Sequence, residues 1–232
     1  MDQISLQHRY FNWLVVSLFC AGFCLPLFAS EITEKVNAKS TPSPEKIVLI
    51  VGDSLSAEYG LTRGTGWVQL MSDQAVKELI KVRMVNASIS GDTSSGGLSR
   101  LPQLLKLHKP QVLIVELGGN DALRGLSMQM THQNLSAMAN QGKKAGAKVM
   151  VIAMQIPPNY GANYAQQIAQ AYQRVSKETG AELNNQFLKG IADEADPLKW
   201  FQPDRIHPNE GAQSAMMKNV WPQLKKMLAD VR

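Results

Sequence analysis

Short aliphatic runs alternate with longer amphipathic stretches from Lys46 onward, and this alternation limits the fold more than any other feature of the chain. The aliphatic runs predict strands at residues 47–51, 82–88, 112–117, 149–154 and, more weakly, 181–188. Helical spacing of apolar residues predicts helices at 67–79, 98–107, 127–145, 162–179 and 209–228. Nearly continuous aliphatic strands are typical of a parallel sheet that is covered by helices on both faces. We therefore predict an α/β fold, a three-layer α/β/α sandwich with a doubly wound parallel sheet of about five strands.

The first 45 residues are predicted to lie outside this fold. His8 and Arg9 precede an apolar run at 11–28, and the small residues Ala29 and Ser30 follow it. A basic start, an apolar middle and a small-residue exit are typical of a secretory signal peptide, here residues 1–30. The polar stretch 31–45 shows no apolar period and predicts a flexible linker, which leaves 46–232 as the folded domain.

This leader predicts where the protein works. We expect a periplasmic or secreted protein without stable membrane insertion once the leader is cleaved. The alternative is a protein anchored by an uncleaved N-terminal segment, because the apolar run approaches the ~20 residues that span a bilayer. Both cysteines, Cys20 and Cys24, lie in the leader, so the processed chain would hold no disulfide and no thiolate metal site. The net charge of +5 comes from scattered basic residues, and we expect no nucleic-acid partner.

A serine and a late histidine supply the elements of a nucleophilic site. Ser54 follows the first predicted strand directly, and a serine hydroxyl becomes a useful nucleophile only when a base takes its proton. Beyond the leader the chain has three histidines, and His108 and His132 stand in a surface turn and a polar stretch. His207 instead has Asp204 three residues before it, a spacing that lets the carboxylate orient the imidazole. We predict Ser54 as nucleophile, His207 as base and Asp204 as the orienting acid.

Two further turns follow the second and third predicted strands. Gly91 can offer a backbone N–H, and Asn120 can offer a side-chain amide. With the N–H of Ser54, these donors are predicted to form the oxyanion hole that an ester-cleaving site requires. Because the carboxyl ends of parallel strands meet at one edge of the sheet, the motifs are expected to converge there.

The motifs together resemble those of the SGNH (GDSL) hydrolases. Four blocks carry the resemblance: Gly52-Asp53-Ser54-Leu55-Ser56, Ile89-Ser90-Gly91-Asp92-Thr93-Ser94, Gly118-Gly119-Asn120-Asp121 and Asp204-x-x-His207. Further similarity, as in Pro158-Asn159-Tyr160-Gly161, is to the branch with acyl-CoA thioesterase, lysophospholipase and arylesterase activity. The resemblance implies a flavodoxin-like fold, a Ser-His-Asp triad, an oxyanion hole of Ser54, Gly91 and Asn120, and no metal or cofactor.

We therefore predict a serine hydrolase that cleaves carboxylic esters and thioesters of acyl chains through an acyl-enzyme. Its partner is expected to be a small-molecule acyl ester or thioester, with lysophospholipid among the candidates, and the protein is expected to be a monomer. The residues predicted to bind the acyl chain are Leu123, Ile156, Pro157 and Tyr160. A carbohydrate O-acetylesterase of the same superfamily is the nearest alternative, followed by a metallophosphoesterase and a non-catalytic lipid- or wall-binding module.

Overall fold

Five parallel strands form one sheet in the order β2-β1-β3-β4-β5. The computed structural model describes residues 45–156 and 160–231. The strands are β1 (Lys46–Gly52), β2 (Val82–Asn86), β3 (Val112–Glu116), β4 (Lys148–Ile152) and β5 (Glu182–Asn184). The chain leaves β1 for β2 on one side and then crosses to β3 on the other, so the strand order reverses between β1 and β3. The predicted doubly wound sheet is therefore confirmed.

Helices cover both faces of this sheet. They are α1 (Trp67–Lys77), α2 (Ser94–His108), α3 (Gly119–Leu123), α4 (Met128–Lys144), α5 (Ala162–Thr179) and α6 (Glu210–Ala229). Helix α1 packs against α6, whereas α4 packs against both α2 and α5. Right-handed crossovers around the reversal point place these two groups on opposite faces. The result is the predicted α/β/α sandwich.

The core lies where the central strands meet the two helical layers. All five residues of β3 are buried, and β1 is buried from Val48 to Gly52. Trp67 at the start of α1 packs edge-on against Phe187, with 5.1 Å between the ring centroids. Each large aliphatic side chain buried in this way contributes about 1.5–3 kcal/mol relative to exposure. In the described part of the chain, no helix is long and apolar enough to cross a membrane.

Helix α2 begins four residues before its predicted start. Thr93 caps it, since the Thr93 hydroxyl accepts a hydrogen bond from the N–H of Gly96 at 3.3 Å. Glycine is a weak helix former, so Gly96 and Gly97 conceal this first turn from a pattern of apolar spacing. The glycine at 97 has a packing reason, because a Cβ there would lie 2.2 Å from Leu117 Cδ1.

Other predicted bounds were also wrong, most clearly those of α1 and β5. Helix α1 ends at Lys77, and Leu79 adopts a left-handed conformation (φ 56°) that leaves its side chain 89% exposed. Strand β5 covers three residues instead of the predicted eight. The Asn184 side chain turns to α6, where it donates to the Asn219 carbonyl and to Gln223 Oε1.

A tight turn joins β3 to α3 and carries the third sequence block. The Tyr172 hydroxyl donates to the carbonyl of Leu117 at 2.8 Å and so lies directly against this turn. Gly118 has φ 108°, and a Cβ at this position would lie 2.4 Å from the Tyr172 oxygen. The turn thus requires glycine for both its backbone conformation and its packing.

Replacing Gly118 with alanine is expected to lower the free energy of unfolding by at least about 2 kcal/mol, because backbone strain and the clash with Tyr172 add together. Gly125→Ala is the matched control: Gly125 also has a positive φ (66°), but nothing lies within 4 Å of the added Cβ. Urea denaturation of both variants measures the difference. Equal losses would contradict the steric role of Tyr172.

Candidate active site

Ser54 lies in a turn directly after β1, at the edge of the sheet where the strand order reverses. Asp53 builds the turn, because its Oδ1 accepts the N–H of Leu55 at 3.1 Å and its carbonyl accepts the N–H of Ala57 at 2.9 Å. The carbonyl of Ser54 accepts the N–H of Tyr59 at 3.2 Å. The sheet and this turn therefore fix the backbone that carries the Ser54 hydroxyl.

Asp204, His207 and Ser54 form a continuous chain of hydrogen bonds. His207 Nδ1 lies 2.7 Å from Asp204 Oδ2, and His207 Nε2 lies 2.9 Å from Ser54 Oγ. The second Asp204 oxygen accepts the backbone N–H groups of Ile206 and His207 at 2.9 and 3.0 Å. Because the carboxylate accepts a hydrogen bond from Nδ1–H, the neutral imidazole carries no proton on Nε2, and Nε2 can accept the hydrogen bond from the Ser54 hydroxyl.

The loop that carries the imidazole is held at several points. Phe201 and Pro208 pair as an isolated antiparallel bridge, and Gln202 N–H donates to the carbonyl of His207 at 2.8 Å. The Gln202 side chain also donates to the carbonyl of Tyr59, in the loop after Ser54. The Tyr59 ring lies 4.4 Å from the His207 ring, centroid to centroid. These contacts restrict movement of the imidazole away from Ser54.

The environment of Asp204 favours its ionised form. Partial burial acts to raise the pKa of Asp204, but the backbone N–H groups of His207 and Ile206 and the His207 imidazole outweigh it. The pKa of Asp204 therefore lies below its ordinary value, and the carboxylate stays charged near neutral pH.

The three predicted oxyanion donors lie at the ends of three neighbouring strands. Gly91 has φ 77°, and its carbonyl accepts Arg124 Nη2 at 2.8 Å. Asn120 lies in the first turn of α3, where its Nδ2 donates to Asp53 Oδ2 at 3.1 Å. Among the described residues, the N–H groups of Ser54 and Gly91 donate to no acceptor, which leaves both free for a ligand oxygen.

Two buried carboxyl groups beneath Ser54 were not predicted as parts of the site. Glu116 ends β3 and is fully buried, and Asp53 is 1% exposed. Burial raises the pKa of Asp53 to about 6, and burial together with the nearby Asp53 charge raises the pKa of Glu116 well above its ordinary value. The sequence did hold a signal, since Glu116 is the one charged residue in the aliphatic run 112–117.

The predicted acyl-binding residues lie on the loops after β3 and β4. Leu123 ends α3 and is half-buried, as is Ile156. Tyr160 is 41% exposed and stacks on Tyr164 with 6.5 Å between centroids. The Tyr164 hydroxyl donates to the carbonyl of Ala122, which ties this tyrosine pair to α3. Pro157 lies outside the described residues.

The remaining histidines lie apart from this arrangement. His132 Nε2 is 2.8 Å from Glu178 Oε2, in a contact between α4 and α5. By contrast, both ring nitrogens of His207 make hydrogen bonds within the site, Nδ1 with Asp204 and Nε2 with Ser54. Within residues 45–156 and 160–231, no group of three or more His, Cys, Asp or Glu side chains has a geometry suited to a metal ion.

Comparison with known proteins identifies the family to which this chain belongs. Residues 50–215 match the GDSL-like Lipase/Acylhydrolase family. The chain is 44% identical to Esterase TesA of Pseudomonas aeruginosa over 181 residues, which are 78% of this chain and 89% of that protein. It is 40% identical to Thioesterase 1/protease 1/lysophospholipase L1 of Escherichia coli K12 over 183 residues, with coverage of 78% and 84%.

A solved structure extends the likeness to three dimensions. The psychrotrophic esterase EstA from Pseudoalteromonas sp., in a crystal structure inhibited by monoethylphosphonate, superposes with a TM-score of 0.75 at 37% identity. The match covers 80% of this chain and all of that one. On its motifs, its fold and these relatives, the chain belongs to the GDSL-like lipase/acylhydrolase family.

Proposed function

We propose that this protein is a serine hydrolase that cleaves carboxylic esters and thioesters of acyl chains through a Ser54 acyl-enzyme. The hydrogen-bond chain from Asp204 through His207 to Ser54, with distances of 2.7 and 2.9 Å, carries the proposal. Its relatives bear the names esterase, thioesterase and lysophospholipase, which agree with ester hydrolysis.

In the first half of the reaction, Ser54 Oγ attacks the acyl carbonyl while His207 Nε2 accepts its proton. Asp204 stabilises the imidazolium that forms, and its depressed pKa keeps it ionised for this role. The N–H groups of Ser54 and Gly91 and the amide of Asn120 donate to the oxyanion of the tetrahedral intermediate. Collapse of this intermediate breaks the bond to the alcohol or thiol, which leaves with the proton from His207.

In the second half, His207 takes a proton from water, and the resulting hydroxide attacks the Ser54 ester. The same donors hold the second oxyanion, and Ser54 leaves with the proton from Nε2. The carboxylic acid is released and the free enzyme is restored. No further group enters this sequence of steps.

We assign the acyl chain to the loops that carry Leu123, Ile156, Pro157 and Tyr160. The half-buried Leu123 and Ile156 and the exposed Tyr160 offer apolar surface on the loops after β3 and β4, beside the strand end that carries Asn120. A lysophospholipid suits this apolar surface as well as a simpler ester does, because both present one acyl chain to Ser54.

We also infer a periplasmic or secreted enzyme that acts as a monomer. The localisation is inferred from the composition of residues 1–30, which has the pattern of a cleaved leader. That segment, and nearly all of the linker 31–45, lies outside the described residues.

The first prediction concerns the nucleophile. A fluorophosphonate is expected to label the wild-type protein and to leave Ser54→Ala unlabelled, because only an activated serine reacts. Ser99→Ala is the control, since Ser99 is exposed on α2 and its hydroxyl donates to the carbonyl of Gly96 in the same helix. Intact-mass spectrometry detects the adduct. Equal labelling of Ser54→Ala would remove Ser54 from the mechanism.

The second prediction concerns the acid. Asp204→Asn is expected to lower kcat by about 10⁴ because it keeps the shape of the loop but favours the wrong imidazole tautomer. Asp196→Asn is the matched control, as Asp196 makes no side-chain cap bond at the 3₁₀ helix Pro197–Trp200. Hydrolysis of p-nitrophenyl esters measures both. A fully active Asp204→Asn would show that another carboxylate orients His207.

The third prediction concerns the acyl groove. The value of kcat/KM for p-nitrophenyl esters is expected to rise with chain length by up to about fourfold per buried methylene. Leu123→Ala is expected to flatten this rise, whereas Leu107→Ala is expected to preserve it, because Leu107 is 69% exposed at the far end of α2. Acetate as best substrate, with no dependence on length, would instead favour the carbohydrate O-acetylesterase.

A further inference from the structure

Glu116 is a fully buried acid that the proposed reaction does not use. It ends β3 and is paired in register with Gly52 of β1, where a Cβ would lie 2.6 Å from Glu116 Oε2. Oε2 accepts the Ser56 hydroxyl at 2.6 Å and the N–H of Asp53 at 3.2 Å. Oε1 is buried, and no donor of the described residues reaches it.

The next carboxyl group connects Glu116 to the oxyanion hole. The Asp53 N–H donates to Glu116 Oε2 at 3.2 Å, and both carboxyl groups are buried beside each other, so one of the two holds a proton. Asp53 uses both of its oxygens as acceptors, Oδ1 for the N–H of Leu55 and Oδ2 for the amide of Asn120. Glu116 Oε1, which receives no hydrogen bond, is the oxygen best placed to carry the proton.

The groups around this pair favour a single negative charge. Asp53 faces His207, whose positive form attracts it, while Tyr172 on α5 and Asp121 on α3 are the other titratable neighbours. No lysine or arginine within the described ranges hydrogen-bonds or ion-pairs with Glu116 or Asp53. Two buried carboxylates without a cation would be strongly destabilising. The raised pKa of Glu116 has this origin.

We propose that Glu116 is a neutral carboxylic acid in the folded protein and that it acts through Asp53 as a positioning residue for the Asn120 amide. Glu116 holds Asp53 in place by accepting its backbone N–H, and the Asp53 carboxylate accepts one N–H of Asn120. This hydrogen bond selects the amide orientation in which nitrogen, rather than oxygen, faces the reacting carbonyl, and it leaves the second N–H for the oxyanion. The inference rests on the proposed function, since it assigns Asn120 to the oxyanion hole.

A double-mutant cycle tests the positioning role. Asp53→Ala is expected to lower kcat at least about tenfold with KM within about twofold, because the amide of Asn120 loses its anchor. In an Asn120→Ala background the same change is expected to cost less than about threefold, since the residue it positions is gone. Fully additive losses would overturn the proposal.

Stability and folding are controlled separately. Thr179→Val is the control, because it removes a buried hydrogen bond to the Val175 carbonyl in the last turn of α5 and so lowers stability at a place remote from Asn120. This control variant is expected to keep the wild-type kcat. A fall in its kcat equal to that of Asp53→Ala would overturn the proposal. Should Asp53→Ala fail to fold, Asp53→Asn takes its place in the cycle, because it keeps the volume but offers one acceptor oxygen to two donors.

The protonation of Glu116 is tested by infrared spectroscopy and by pH-dependent unfolding. A protonated-carboxyl carbonyl band is expected in the wild type at neutral pH and absent from Glu116→Gln, which should retain kcat within about threefold. Because the pKa of Glu116 is raised on folding, its contribution to stability is full below the ordinary 4.5 and falls as the pH rises. Glu116→Gln is expected to lack this loss of stability with rising pH. A band that persists in Glu116→Gln would refute the neutral acid.

The two proposals fail in different ways. If the proposed function is wrong, Ser54→Ala keeps its activity. If only the role of Glu116 and Asp53 is wrong, Ser54→Ala is inactive while Asp53→Ala has the same kcat as Thr179→Val.

Discussion

The parallel pairing of β1 with β3 is the contact on which the rest of the structure depends. Its register sets Gly52 opposite Glu116, with two aliphatic strands buried behind them. Ser54 follows two residues beyond one strand end and Asn120 four residues beyond the other. Since strand order reverses at this pair, the two turns diverge and leave an open crevice between them. A one-residue shift in register would separate the serine from the amide.

Much of this arrangement was predictable because the relevant signals are local. Strands β1 and β3 are nearly all aliphatic, and their burial on both faces follows from that composition. The sequence blocks containing Ser54, Gly91 and Asn120 each follow a strand, so the topology alone brings them to one edge. The three-residue spacing of Asp204 and His207 also predicted their contact, because a carboxylate at that spacing reaches the imidazole within a single turn.

The features that were missed depend on partners distant in sequence. Glu116 and Asp53 are 63 residues apart, and nothing near either one indicates that they meet. Strand β5 is short because Asn184 finds partners on α6, 35 and 39 residues further on. Leu79 was assigned to the apolar face of α1 by its spacing, but the helix ends two residues earlier in a turn with positive φ. Periodicity carries no information about such endings.

The site also shows how environment, rather than residue type, sets the charge of a carboxyl group. Asp204 is partly exposed and receives two backbone N–H groups, so it remains an anion beside the imidazole. Glu116 is fully buried beside a second acid, and burial favours its neutral form. In the proposed mechanism these opposite states have complementary uses. The anion stabilises the imidazolium, whereas the shared proton limits the pair beneath Asn120 to one negative charge. A second charge there would oppose the oxyanion that the Asn120 amide is proposed to stabilise, so the buried proton and the oxyanion hole depend on each other.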